Sequence, residues 1–154
     1  MVQFSHILCP TDFSEASLEA FPYAIELARL FKAEILFIYA VPVLPPAPVD
    51  FGFESEVAEF VSALRKDAEE RLNKLVSAHV PPDIKFRVVL AQGHAAEEIL
   101  RAADENQIEL IIIATHGLTG WRHLIFGSVA EKVVRLAKVP VLTVRCHDKS
   151  LGQR

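Results

Sequence analysis

Five short apolar runs alternate along this chain with stretches in which apolar residues recur every three or four positions. The apolar runs cover residues 5–10, 34–41, 84–91, 109–115 and 139–145, and the helical patterns cover 14–31, 55–78, 94–105 and 127–137. Strands that alternate with helices in this way form parallel sheets with right-handed crossovers. The pattern therefore predicts a single-domain three-layer α/β/α sandwich around a five-stranded parallel sheet.

Prolines predict two irregularities in this arrangement. Pro22 lies inside the first helical pattern, where it removes a backbone donor, so we expect that helix to bend or split there. Segment 42–54 contains four prolines together with Phe51 and Phe53, which predicts a stiff, apolar connection without helix. This connection is either a packed surface loop or a cover for a ligand or partner.

Composition limits the classes of protein that the chain can represent. Its 154 residues fit one domain, assigned to residues 1–146, with a C-terminal tail at 147–154. No apolar run approaches the roughly 20 residues that span a bilayer. The net charge of −4 gives no long-range attraction to nucleic acid or to an anionic membrane. With no secretory leader pattern and no C-x-x-C pair, we expect a cytoplasmic protein whose Cys9 and Cys146 are reduced thiols.

The segment after the fourth apolar run has the features of a phosphate-binding loop. The run itself, 110–113, is apolar on both faces, as a central parallel strand must be. The loop that follows contains Gly117 and Gly127, and a helix is predicted to begin beside Ser128. Small residues let backbone N–H groups approach an anion, and a helix N-terminus adds roughly half a positive charge. The segment therefore predicts a nucleotide site.

The spacing within this loop resembles the nucleotide motif of the universal stress protein family. Nine residues separate Gly117 from Gly127, and Ser128 follows directly. The family's ATP-binding members carry Gly, two residues, Gly, nine residues, and then Gly with Ser or Thr. This chain departs from that motif at its first position, where Ala114 stands. Segments 7–15 and 127–144 are also similar to the family, so the resemblance covers almost the whole chain.

The resemblance implies a Rossmann-like, adenine nucleotide alpha hydrolase-like fold with strand order 3-2-1-4-5. It also implies a bound adenine nucleotide, ATP or else ADP or AMP, with Mg²⁺. Asp12 and the backbone near Ala114 would meet the ribose. The family's other contacts fall on residues that would border the adenine, namely Pro10, Thr11, Asp12 and Val41, and on residues that would hold the phosphates, namely Gly117, Gly127, Ser128 and Val129.

Several of these residues also have purely structural interpretations. Ser128 begins the pattern Ser-x-x-Glu, so its hydroxyl could cap the backbone N–H of Glu131. Gly117 and Gly127 could be turn residues with positive φ. Asp12 precedes a helical pattern and could be its N-cap. These alternatives remain open at the level of the sequence.

The departure at Ala114 and the basic residues of the loop affect the expected affinity. A methyl group at Ala114 costs energy if φ is positive, whereas in β conformation it points away. Arg122 is the preferred additional phosphate contact, because a guanidinium matches phosphate geometry. His116 and His123 are alternatives, with loop surface as their more ordinary role. No set of residues has metal-ligand spacing, and Mg²⁺ held through phosphate oxygens and water needs none.

Other nucleotide-binding and catalytic classes lack their required residues. Residues 90–93 offer no Asp for a receiver domain, and neither G-x-x-x-x-G-K-[ST] nor G-x-G-x-x-G occurs. No Ser-His-Asp or Cys-His set can be assembled, so we expect no dedicated enzyme. A nucleotide-binding stress regulator with unidentified protein partners is the preferred function. The alternatives are a dimeric interaction protein with a vestigial site and, third, a slow ATPase or nucleotide-transferring enzyme.

The two edges of the implied sheet differ in charge. Strand three carries Lys85 and Arg87, which discourage pairing with another chain. The last strand, Val139 to Val144, carries no charge and is apolar on both faces. We therefore expect a homodimer in which the last strands of two chains pair, as the family resemblance also implies.

Overall fold

The computed structural model describes residues 2–43, 54–116 and 127–145. Within them strands and helices alternate as predicted. The strands are β1 (His6–Pro10), β2 (Glu34–Val41), β3 (Phe86–Gln92), β4 (Leu110–Ala114) and β5 (Val141–Val144). The helices are α1 (Glu15–Leu18), α2 (Phe21–Phe31), α3 (Glu54–His79), α4 (Ala95–Glu105) and α5 (Ser128–Leu136). Most of the proline-rich connection, Cys146 and the C-terminal tail lie outside the described residues.

The five strands form one parallel sheet in the order β3-β2-β1-β4-β5. This confirms the order that the family resemblance implied. The chain moves outward from β1 through β2 to β3, and then crosses to the other side of β1 for β4 and β5. The crevice between the carboxyl ends of β1 and β4 is therefore the topological switch point, where open α/β sheets bind ligands.

Two core layers cover the two faces of the sheet. In the first, Phe21 of α2 and Leu72 of α3 pack with strand residues such as Ile112. In the second, Ile99 of α4 and Val133 of α5 pack with the strand residues that point the other way. Because side chains alternate along a strand, β4 contributes to both layers and is buried throughout. The expected three-layer sandwich is confirmed.

The first helical pattern is split in two, as predicted from Pro22. Helix α1 ends at Leu18, and α2 begins at Phe21. Pro22 then lies in the first turn of α2, where its missing N–H has no intrahelical partner to lose. The short α1 directs the chain across the carboxyl end of β1 and so helps to form the pocket described next.

Candidate functional site

A pocket opens at the carboxyl ends of β1, β2 and β4, directly over the switch point. Its volume is about 120 Å³. The first turns of α4 and α5 form its other side. The lining residues are Pro10, Thr11, Asp12, Ser17, Ile38, Tyr39, Ala40, Ala95, Ile99, Ile113, Ala114, Thr115, His116, Gly127, Ser128, Val129 and Ala130.

The structure brings most of the predicted site residues into this one pocket. Those among its lining are Pro10, Thr11, Asp12, Ala114, His116, Gly127, Ser128 and Val129. Val41 lies one residue beyond the β2 portion of the wall and lines a neighbouring cavity instead. Gly117 and Arg122, and with them His123, lie outside the described residues, so their contacts stay predictions.

Hydroxyl groups hold the β1 end of the pocket in place. The Thr11 and Ser17 hydroxyl oxygens are 2.9 Å apart and buried. The Phe13 backbone N–H donates to Thr11 Oγ1 at 3.1 Å, and the Ser17 hydroxyl donates to the Ser14 carbonyl at 2.8 Å. These hydrogen bonds connect the turn after β1 to α1, so the segment that carries Asp12 is held in position.

Asp12 is half-buried in this turn and is not the cap of α1. Ser14 is the N-cap, since its hydroxyl accepts from the Ser17 backbone N–H at 3.0 Å. The Ser14 backbone N–H donates to Asp12 Oδ1 at 3.0 Å, and the Ser14 hydroxyl donates to the same oxygen. The N-cap alternative for Asp12 is therefore wrong. Its carboxylate supports the cap residue and also lines the pocket.

Ala114 is the last residue of β4, and it is not among the non-glycine residues with positive φ. It pairs with Val144 of β5, and its side chain belongs to the core layer that contains Cys9 and Phe21. The methyl group therefore adds no backbone strain. Of the two conformations considered for this position, the structure has the one that tolerates alanine.

Gly127 is required for close packing and not for an unusual backbone angle. Its φ is −70°, so the alternative of a turn glycine with positive φ is wrong for this residue. Its N–H donates to the carbonyl of Thr115, and a Cβ at Gly127 would lie 3.1 Å from that oxygen. Glycine thus lets the start of α5 lie against the end of β4.

The capping-box alternative for Ser128 is also wrong. Helix α5 begins at Ser128 with Gly127 as its N-cap, and the Glu131 N–H donates to the carbonyl of Gly127 at 2.9 Å. A capping box needs the serine one position earlier, outside the helix. Ser128 is exposed in the first turn, and among the described residues no side chain caps this helix. Its first N–H groups are therefore oriented for an anion in the pocket.

The first turn of α4 was missed by sequence reasoning. Ala95 and Ile99 line the pocket, and so do Tyr39 and Ala40 at the end of β2. The available signal was positional, because ligands gather at the carboxyl ends of all the central strands and at the helix starts that follow them. Small and apolar side chains at these positions carry no motif of their own.

Two groups near the pocket have shifted pKa values. The Lys132 ammonium lies 2.8 Å from Glu97 and lowers the pKa of that carboxyl, so an ion pair joins the first turns of α4 and α5. Burial raises the pKa of the Cys9 thiol, which lies just before Pro10 and stays neutral. Cys9 is therefore a core residue and not a nucleophile.

Among residues 2–43, 54–116 and 127–145, no group of three or more His, Cys, Asp or Glu side chains could hold a metal ion. None of the helices in these same ranges has the length and apolarity needed to cross a membrane.

The sequence comparisons identify the family. The model of the universal stress protein family matches residues 3–145. Universal stress protein MJ0531 of Methanocaldococcus jannaschii is 35% identical over 150 residues, which cover 95% of this chain and 85% of that protein. The chain therefore belongs to the universal stress protein family.

Solved structures agree with this assignment. The structure of protein MJ0577 is 26% identical and superposes with a TM-score of 0.76 over 96% of this chain and 100% of that one. A universal stress protein in complex with cAMP is 22% identical and superposes with a TM-score of 0.60. The match covers 94% of this chain and 98% of that one. The universal stress protein from Archaeoglobus fulgidus in complex with dAMP is 19% identical and superposes with a TM-score of 0.55. This match covers 93% of this chain and 98% of that one. At these two lower identities the likeness is one of fold.

Proposed function

We propose that this chain is a dimeric stress-response regulator that binds one adenine nucleotide, ATP, ADP or AMP, in the pocket over the switch point. The observation that carries the proposal is the pairing of two groups across that pocket. The carboxylate of Asp12 lies on the β1 side, and the start of α5, without a side-chain cap, lies on the β4 side. One accepts hydrogen bonds from hydroxyls and the other donates them to an anion.

The pocket offers a different environment to each part of a nucleotide. Apolar groups of Pro10, Tyr39, Ala40 and Ile99 suit the faces of a planar base. Asp12 is an acceptor for ribose hydroxyls. The N–H groups at the start of α5, beside Ser128, are donors for phosphate oxygens, and Mg²⁺ would reach the site mainly through those oxygens and water.

The fold neighbours solved with cAMP and dAMP support an AMP-type ligand as the ligand class. Their likeness to this chain is one of fold, so the argument rests on the residues of this pocket. The β conformation of Ala114 supports a functional site over a vestigial one, because the departure from the family motif leaves the backbone unstrained.

Calorimetric titration and thermal unfolding with AMP, ADP and ATP, each with and without Mg²⁺, test the proposal. A ligand at about one hundred times its dissociation constant should add roughly 2.7 kcal/mol to the free energy of unfolding, which raises Tm by about 5–10 °C. The titration should give one nucleotide per chain. Flat titrations with all three nucleotides and an unchanged Tm would favour an interaction protein with a vestigial site.

We further propose that the chain acts by binding and not by turnover. Support comes from the polar side chains of the pocket, since the Thr11 and Ser17 hydroxyls bond to each other and Asp12 accepts from the Ser14 N–H. Incubation with ATP and Mg²⁺ should release phosphate no faster than buffer does. Release that is lost with Gly127→Val would instead identify a slow ATPase.

The homodimer is proposed to form through the β5 edge of the sheet. The support is that β5 pairs with β4 on one side, while its exposed Leu142 (36% of its surface accessible) leaves an apolar edge. The opposite edge, β3, carries Arg87 in a 2.9 Å ion pair with Glu34. Light scattering should give the mass of two chains. Leu142→Lys should weaken the dimer, whereas Gln92→Lys on β3 should not, and a monomeric parent protein would reject the proposal.

A further inference from the structure

A second cavity lies beside the nucleotide pocket, between α3 and the carboxyl ends of β2 and β3. Its volume is about 610 Å³, within the range of cavities that hold small organic ligands. Most of its lining is apolar or aromatic, including Phe13, Tyr39, Phe60 and Leu64. Val41, which the family resemblance places beside the adenine, lines this cavity, whereas the other described site residues line the nucleotide pocket.

An aromatic pair separates the second cavity from the nucleotide pocket. The rings of Phe13 and Tyr39 have centroids 4.5 Å apart, and Tyr39 lines both spaces. Phe13 has φ of 65°, a left-handed conformation that bulky residues rarely adopt. Such a strained backbone persists only where the surrounding structure maintains it. At Phe13 this backbone conformation places the ring in the wall of the second cavity.

The apolar side chains of α3 are buried to different extents in the two halves of the helix. Toward its C-terminal end Leu72 and Val76 are fully buried. Nearer its start Phe60 and Leu64 line the cavity with 60% and 40% of their surface accessible. A ligand with an apolar body would bury these side chains and gain the corresponding hydrophobic free energy.

The charged groups of the cavity favour an anion. Arg65, Asp67 and Arg71 line it, which leaves an excess of one positive charge. The Arg71 guanidinium lies 4.7 Å from the centroid of the Phe13 ring. In the part of the chain that the structure describes, neither arginine takes part in an ion pair. Both guanidinium groups are therefore available to a carboxylate or sulfonate.

We propose that this second cavity binds an organic anion with an aromatic or hydrocarbon body, at the same time as the nucleotide pocket is occupied. The apolar body lies between α3 and the ends of β2 and β3, and the acidic group meets Arg71 and Arg65. Among the described residues the two spaces share only Tyr39, so the anion contacts at Arg65 and Arg71 do not depend on the proposed nucleotide function.

The test uses two fluorescent probes with the same skeleton. Anilinonaphthalene sulfonate carries an acidic group, and phenylnaphthylamine lacks it. With the full-length protein in saturating AMP, the sulfonate should bind with one site per chain and more tightly than the amine. Weaker sulfonate binding in saturating AMP than without nucleotide would overturn the proposal, because the cavity would then be part of the nucleotide site. Absence of saturable sulfonate binding would overturn it as well.

Matched variants localise the binding. Arg71→Gln should weaken the sulfonate by about fivefold to tenfold, the net scale of one solvent-exposed hydrogen bond, and leave the amine within about twofold. Lys74→Gln removes the same charge from α3 away from the cavity and should change neither probe. Equal losses in these two variants would contradict the proposal.

A size variant keeps the test independent of charge. Val61→Trp should fill the cavity and weaken both probes, whereas Ser62→Trp on the exposed side of α3 should not. Gly127→Val, in the nucleotide pocket, should leave sulfonate binding unchanged. Loss of the sulfonate in Gly127→Val but not in Val61→Trp would assign the probe to the nucleotide pocket and overturn the proposal.

Discussion

The two turns that border the nucleotide pocket use their polar groups in opposite ways. After β1, the Thr11 and Ser17 hydroxyls bond to each other, and the Ser14 hydroxyl caps α1 by accepting from the Ser17 backbone N–H. After β4, the N-cap of α5 is Gly127, which has no side chain to accept from the N–H groups of that helix's first turn. The turn after β1 is satisfied from within the protein, whereas in the described residues Gly127 gives the first turn of α5 no side-chain cap.

This difference separates support from recognition. A buried hydroxyl without its partner costs stability, so substitutions of the hydroxyl residues after β1 should act on folding. In the proposed site, the turn after β4 depends on close approach of its backbone, so substitutions there should act on binding. Each of the following substitutions is expected to change either stability or nucleotide affinity. A change in the other quantity would contradict this assignment of roles.

The largest effect is expected for Gly127→Val. The added Cβ lies 3.1 Å from the Thr115 carbonyl oxygen, and the branched methyl groups would crowd the start of α5. Nucleotide affinity should fall at least about a hundredfold by calorimetry. Gly127→Ala should lose less, because it lacks the branch. Unchanged nucleotide affinity in a folded Gly127→Val protein would show that the site lies elsewhere.

Ser17→Ala should act on stability. It removes the 2.9 Å partner of the buried Thr11 hydroxyl, so the free energy of unfolding should drop by about 1–3 kcal/mol. Urea denaturation measures this change, and Ser62→Ala on the exposed side of α3 is the control. A loss of nucleotide affinity without loss of stability would mean that the Ser17 hydroxyl contacts the ligand directly.

Ser14→Ala and Ser128→Ala form a crossed pair. Ser14 caps α1, so its loss should cost about 0.5–2 kcal/mol of stability. Ser128 is not a cap, so its loss should leave stability unchanged and weaken nucleotide binding by about 0.5–1.5 kcal/mol. Both quantities are measured on both proteins, by urea unfolding and calorimetry. Equal destabilisation of the two variants would restore the capping interpretation of Ser128.

The smallest effect concerns the opposite end of the sheet, where backbone N–H groups already hold an anion. The Ser5 N–H, and the His6 N–H at 3.2 Å, donate to Glu109 and lower the pKa of its carboxyl. A carboxylate with a lowered pKa stabilises the fold above its ordinary pKa, and that contribution is lost as pH falls through the lowered value.

Replacing this carboxylate tests the effect. Glu109→Gln should reduce the loss of stability on acidification below about pH 4.5, measured by urea unfolding across pH. Glu70→Gln on an exposed face of α3 is the matched control. Identical pH dependence of the Glu109→Gln and parent proteins would show that the backbone donors do not stabilise this anion.

Local patterns were sufficient for the elements of the fold. Period and burial encode strand and helix, and Pro22 splits the first helical pattern as its missing N–H requires. The strand order came from the family resemblance, because periodicity carries no information about which strands are neighbours. Loop spacing likewise identified Gly127, Ser128 and Ala114 as one site, and the structure brings them into one pocket.

What the sequence by itself determined was therefore the succession of elements, and the family resemblance added Gly127, Ser128 and Ala114 as residues of one candidate site. The tertiary structure alone decided what each residue does. Gly127 allows close packing, Ser128 lies inside its helix, and the backbone of Ala114 does not adopt positive φ. It also decided that α4 completes the pocket and that a second cavity lies behind Phe13. The physical reason is that dihedral preferences and burial periods are local, whereas distances between segments remote in the chain arise only when the layers pack.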